Sequence, residues 1–220
     1  MTSARTSRPA AAAPAVVAAL VMLVAGYATT LAFGPLRVGR MLPWVLGRGL
    51  GIAAYLALVG LTALGLWLRH PWRVRWRHPT PQVQLRVHAT LAGLTMALLA
   101  GHIVALVLDS YAGVGWYGAL VPSGSHFRPF AVGLGTVSLY VGLLVGITAA
   151  SAGRLLRRAW LPVHRLASVV FALAWLHGVL AGSDTPRLML MYVGTVGLVV
   201  VLAASRRFAA VPAPEAVGAR

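Results

Sequence analysis

Seven histidines punctuate this 220-residue chain, and four of them, His88, His102, His164 and His177, fall within or at the edge of long uncharged apolar runs. An ionisable imidazole is costly in hydrocarbon and usually marks a functional path there. One alone would serve equally well to hydrogen-bond two helices together; four in two pairs point to metal chemistry. His88 and His102 are 14 residues apart, His164 and His177 13. On helices these are rises of about 21 Å and about 20 Å. If the two helices run parallel, His88 meets His164 at one depth and His102 meets His177 at another. Two opposed neutral imidazoles are the axial ligands of a low-spin haem, and a low-dielectric site favours the neutral form. The chemistry expected is single-electron transfer along two stacked haems.

The elements that must carry these rings follow from charge patterning. Six stretches lack any charged residue: 9–36, 49–68, 87–108, 129–153, 166–183 and 188–205, each at least 18 residues long. About 20 helical residues cross a hydrocarbon core of about 30 Å. None alternates as a membrane strand would, so the expected fold is an all-α integral membrane protein, a six-helix transmembrane bundle. The last two runs are short, and their ends are expected to lean on interfacial Arg and Trp. The third and fifth helices are separated by one span and therefore run parallel. With a cytoplasmic N-terminus, 14 arginines fall on the inner side and five (Arg37, Arg40, Arg48, Arg128, Arg187) on the outer side. That bias puts both termini in the cytoplasm and the chain in the cell membrane. Residues 1–9 are then a cytoplasmic tail, 10–205 the haem-carrying bundle and 206–220 a flexible cytoplasmic tail. The first run follows Arg5 and Arg8 and is Ala-rich, like a signal peptide, but its apolar core is long for one and a retained helix is expected.

Composition narrows the classes further. With 59% hydrophobic and 10% charged residues, the chain is neither a water-soluble enzyme nor a disordered polymer. Its net charge of +16 comes from 19 basic residues, all Arg, against three acids. The arginines sit in bursts between apolar runs, which argues for a lipid bilayer and against a nucleic-acid partner. Cysteine is absent, so disulfides, thiolate zinc sites, Cys-held iron–sulfur clusters and covalent C-x-x-C-H haem attachment are excluded.

One feature of the spacing resists a straight-helix picture. Fourteen residues return to within about 40° of the starting face, whereas 13 leave the second ring about 140° away. The fifth helix is therefore expected to be distorted between residues 166 and 175, or its two rings to meet the haems on different flanks.

The chain resembles the ferric-reductase-like transmembrane domain family, the membrane core of ferric reductases and NADPH oxidases, and looks closest to its short actinobacterial-type members. The resemblance covers residues 48–184. It rests on the paired His spacings, R-G-L-G at 48–51, L-D-S-Y-A-G at 108–113, L-V-P at 120–122, F-R-P-F at 127–130 and L-H-G-V-L-A-G-S-D at 176–184. It implies six helices and two haem b groups on the third and fifth, with electrons passing from the cytoplasmic to the outer face. The inner ligands would be His88 and His164, the outer ones His102 and His177. Larger members carry an FAD- and NAD(P)H-binding portion after the sixth helix, where this sequence has about 15 residues and no G-x-G-x-x-G after a strand. An oxidoreductase component of this kind is expected to take electrons from a cytoplasmic flavoprotein reductase, with FAD or FMN on that partner, or from a quinol. It would pass them to a ferric chelate, oxygen or an extracytoplasmic redox protein. The alternatives are a quinol-linked di-haem cytochrome b, a haem subunit serving a periplasmic reductase, and a haem-free permease or membrane scaffold.

Other residues have two readings each. Arg86 and Arg165, beside the inner histidines, either pair with haem propionates or are ordinary positive-inside residues; Arg128 and Arg187 stand in the same relation to the outer pair. Phe171 and Trp175 either fill the gap between haems or simply pack, the latter being the more usual role. Asp109 and Asp184, each seven residues beyond an outer histidine, either draw cations to the exit or close a helix. His70, His78 and His126 read as interfacial loop residues, as do Tyr111, Trp116 and Tyr117. The glycine groups 47/49/51 and 142/146 read as helix-packing positions.

Overall fold

The computed structural model describes residues 35–75, 79–151 and 160–209, and among them there are helices and turns but no strand. The helices are α1 (Pro35–Leu68), α2 (Pro81–Val107), the short α3 (Gly115–Leu120), α4 (Pro129–Ala150), the short α5 (Trp160–His164), α6 (Ala167–Ala181) and α7 (Thr185–Phe208), with a 3₁₀ turn at Pro71–Arg75. Five helical segments are long and apolar enough to cross a membrane: Met41–Leu68, Pro81–Val107, Pro129–Ala150, Trp160–Ala181 and Thr185–Phe208. Helix is the conformation these runs must take in lipid, because it satisfies every backbone group within the segment. The run 9–36 lies outside the described residues except for Pro35 and Leu36, which open α1; so do residues 1–9 and, beyond Ala209, the C-terminal tail.

Helix ends differ from the limits of the uncharged runs for a physical reason. Arg is a good helix former, so α1 continues through Arg37, Arg40 and Arg48, and α2 starts at Pro81, ahead of Arg86. Prolines sit in the first turns of α2, α4 and α7, where the missing N–H costs nothing. The last two spans are 22 and 24 residues long, longer than their uncharged runs because the helical segments take in Trp160, Arg165, Arg187, Arg206 and Arg207.

α1 packs along α2 and α4 along α6, and α1 also meets α6 and α7. The histidine-bearing helices α2 and α6 have no extensive backbone contact with each other among the described residues; each is backed by a different neighbour. Between α1, α6 and α7 lies a core of three aromatic residues, Tyr55, Phe171 and Tyr192, together with Val59. Tyr55 and Phe171 stack at 6.4 Å, Tyr55 and Tyr192 lie 5.3 Å apart, and Trp175 Nε1–H donates to Tyr192 O at 3.1 Å.

The fifth span is interrupted just after His164. Arg165 N–H is shared between the carbonyls of Leu161 and Pro162, Leu166 N–H bonds to Val163 O three residues back, and Ser168 N–H bonds to Arg165 O. Each residue in such a 3₁₀ turn rotates the chain by about 120° rather than about 100°. Two or three of them remove about 40–60° of the roughly 140° mismatch. Ser168 Oγ–H donates to Arg165 O at 2.9 Å and satisfies a carbonyl at the break. Distortion is observed, at the very start of the expected window, and it leaves about 80–100° of the mismatch, so the two rings also leave the span on different flanks.

Candidate functional site

The four membrane histidines come together as two pairs. His88 of α2 and His164 at the end of α5 have ring centres 6.2 Å apart with planes at 65°. His102 of α2 and His177 of α6 are 6.3 Å apart at 77°. The His102/His177 level is at the end of the bundle formed by residues 109–128, the upper end; the His88/His164 level is at the opposite, lower end, where Trp160 flanks His164 at 5.8 Å.

The levels differ in how the second ring nitrogen is held. At the upper level His102 Nδ1 lies 2.6 Å from Gly47 O of α1, and His177 Nδ1 lies 2.8 Å from Ala131 O of α4. A carbonyl only accepts, so both Nδ1 atoms carry the proton and both Nε2 atoms are left with a lone pair. This is the arrangement in which a metal-binding histidine is usually found. At the lower level Nδ1 of His164 is buried with no hydrogen-bond partner among the described residues, and Nδ1 of His88 makes no bond of ordinary geometry although the Leu61 backbone of α1 faces its ring.

Glycines back the rings. A Cβ on Gly51 would stand 2.8 Å from His102, one on Gly135 2.8 Å from His177 and one on Gly65 3.2 Å from His88. Of the glycines read as packing positions, Gly47 and Gly51 do face α2, but Gly49 and Gly146 have open space beside them and Gly142 meets only Val170 at 3.6 Å. The role of Gly51, Gly65 and Gly135 was missed in the sequence. The available signal was that Gly51 and Gly65 repeat the 14-residue spacing of His88 and His102.

Nothing matches this chain among family models, curated proteins or solved structures. The site therefore stands on its own geometry. Among the described residues no group of three or more His, Asp or Glu draws together around a point. Each level offers two nitrogen donors.

The remaining candidates fall into place around the pairs. Arg86 and Arg165 are exposed at the lower end. At the upper end Arg48 forms an ion pair with Asp184 (side chains 27% and 34% exposed) and lies over Trp44 at 5.5 Å. Arg128 donates to Leu180 O at 2.6 Å, and Arg187 is exposed. Asp109 accepts from Ala112 N–H at 2.7 Å and closes the turn after α2, whereas Asp184, at the N-cap position of α7, makes no side-chain capping bond and is engaged by Arg48. Trp116 and Tyr117 are exposed, as is Tyr111, which packs its ring on Trp44 at 5.3 Å. His126 is exposed; His78 lies outside the described residues. His70 departs from its interfacial reading. It is 3% exposed, accepts from Trp72 N–H through Nδ1 and meets Ser205 Oγ through Nε2, both at 3.2 Å. It pins the lower turn to α7.

Proposed function

We propose that the chain is the membrane haem component of an electron-transfer system, with His88 and His164 holding one b-type haem and His102 and His177 a second. When bound, this pair of groups supplies single-electron carriage across an apolar layer that no side chain here could carry alone. The supporting observation is the separation of the rings. An imidazole nitrogen binds a first-row metal at about 2.0 Å and its ring centre lies about 1.15 Å behind it, so two imidazoles on one metal have centres about 6.3 Å apart. The two pairs stand at 6.2 and 6.3 Å. The donor chemistry agrees, because the carbonyls of Gly47 and Ala131 hold the upper protons on Nδ1 and keep Nε2 unprotonated. His88 with His164 and His102 with His177 would hold each group from both sides, which would leave an acceptor to take its electron at the edge of the site.

In this reading the sixth span is the run 9–36, both termini are cytoplasmic, and the lower end faces the cytoplasm. The lower end carries Arg69, Arg73, Arg86, Arg165, Arg206 and Arg207. Arg86 and Arg165 pair with propionates at the lower level. The basic surface receives a cytoplasmic flavoprotein reductase as donor, and the acceptor, a ferric chelate, oxygen or a redox protein, meets the upper end. The direct test is the full chain purified in detergent from a haem-replete host. The account expects reduced-minus-oxidised b-type bands and strongly anisotropic low-spin ferric EPR signals, as imidazole planes closer to perpendicular than parallel produce. A chain that carries no haem overturns it.

A further inference from the structure

The two upper histidines are seated by the same device on two different helices. His102 Nδ1–H donates to the carbonyl of Gly47, and its ring lies against Gly51, four residues further along α1. His177 Nδ1–H donates to the carbonyl of Ala131, and its ring lies against Gly135, four residues further along α4. In an α-helix the carbonyl of residue i points toward residue i+4. Every Cα–Cβ bond leans toward the helix N-terminus, so the Cβ of residue i+4 stands in the way of a donor reaching that carbonyl from outside. Only glycine leaves the approach open. A Cβ on Gly51 would sit 2.8 Å from His102 Nδ1, and a Cβ on Gly135 2.8 Å from His177 Nδ1, the bonding atoms themselves.

The lower level lacks the complete device. Gly65 lies against His88 four residues beyond Leu61, whose backbone carbonyl faces the His88 ring, but the nearest ring atom to its would-be Cβ is Cε1 at 3.2 Å and Nδ1 makes no hydrogen bond of ordinary geometry among the described residues. His164 Nδ1 has none either. At the upper level both rings are locked in tautomer, whereas at the lower level His88 is loosely seated and His164 has no seat.

We infer that Gly51 and Gly135 are positioning residues for His102 and His177: by leaving a helix carbonyl accessible they fix the proton on Nδ1 and commit Nε2 to the facing ring. This deepens the haem reading and rests on it for what Nε2 would bind. The seat itself is a property of the polypeptide. A hydrogen bond from the second nitrogen raises the basicity of a ligating imidazole, and losing such a partner costs about 10–100-fold in metal affinity. Gly51→Ala and Gly135→Ala are therefore expected to weaken haem retention at the upper level by that factor and to raise its midpoint potential, leaving the lower level unchanged.

The test uses the full chain with ¹⁵N-labelled histidine, produced with and without haem. In the haem-free protein, nitrogen shifts should show His102 and His177 protonated at Nδ1. Gly51→Ala should disturb His102 alone, Gly135→Ala His177 alone, and Gly49→Ala and Gly146→Ala, whose Cβ would meet nothing within 4 Å, neither. Nε2-protonated rings in the wild-type chain overturn the inference even if a variant fails to fold, as do seat variants that behave like the controls. A chain that shows the Nδ1 tautomers but never binds haem refutes the proposed function and leaves the seats standing.

Discussion

Phe171 lies seven residues after His164, which on a continuous helix is the same face, yet its ring is in the aromatic core against Tyr55. The 3₁₀ turn at Arg165–Leu166 adds rotation between the two and carries Phe171 round to α1. Removing it empties a buried site, so Phe171→Ala is expected to cost about 3 kcal/mol or more, read as a lower thermal midpoint in detergent. Optical bands of the histidine levels should not move; a shifted spectrum in a chain of unchanged stability would return Phe171 to the space between the pairs. At this scale the sequence was informative about residue identity and silent about seating. Four histidines in two runs at near-equal spacing announce two levels, because imidazole is costly in hydrocarbon and its depth follows from the rise per residue. Which carbonyl and which glycine meet each ring depends on the faces turned inward by α1 and α4, and hydropathy patterns do not carry that. His70 shows the same limit, since a histidine in a loop looks interfacial until its Trp72 and Ser205 partners are seen.

Helices were legible as apolar runs, but their ends were not. A rule that stops a span at the first charge cuts off the start of α1, where Arg48 lies inside the helix and pairs with Asp184 at the cap of α7. The pair ties two helices at the upper end, but both side chains are about a third exposed or less than that, and screening keeps such pairs modest. A double-mutant cycle of Arg48→Ala and Asp184→Ala is expected to give a coupling of no more than about 1 kcal/mol. A larger value would mean that the pair is shielded from water. The break between α5 and α6 was legible only as a conflict between 13 and 14 residues, and resolving that conflict took coordinates. Its position follows from backbone bonding at Arg165 and Leu166, which a hydropathy profile cannot register.

At the scale of the molecule, the spacing of α2 and α6 carries the account. Each is backed by its own partner, α1 or α4, and the histidine rings reach across between them. Orientation rests on a different quantity, the distribution of arginine, 14 against five by sequence position. A fluorescent protein fused to the C-terminus should therefore glow, and a phosphatase active only outside the cytoplasm, fused at the same point, should stay silent. The reverse pattern would invert donor and acceptor ends while leaving the histidine levels as they are. The central claim is the pairing itself, and haem stoichiometry across histidine variants reads it most directly. The wild-type chain should hold about two haems, His88→Ala and His102→Ala about one each, and the double variant none. Equal haem content in all four proteins, or none in the wild type, would contradict it.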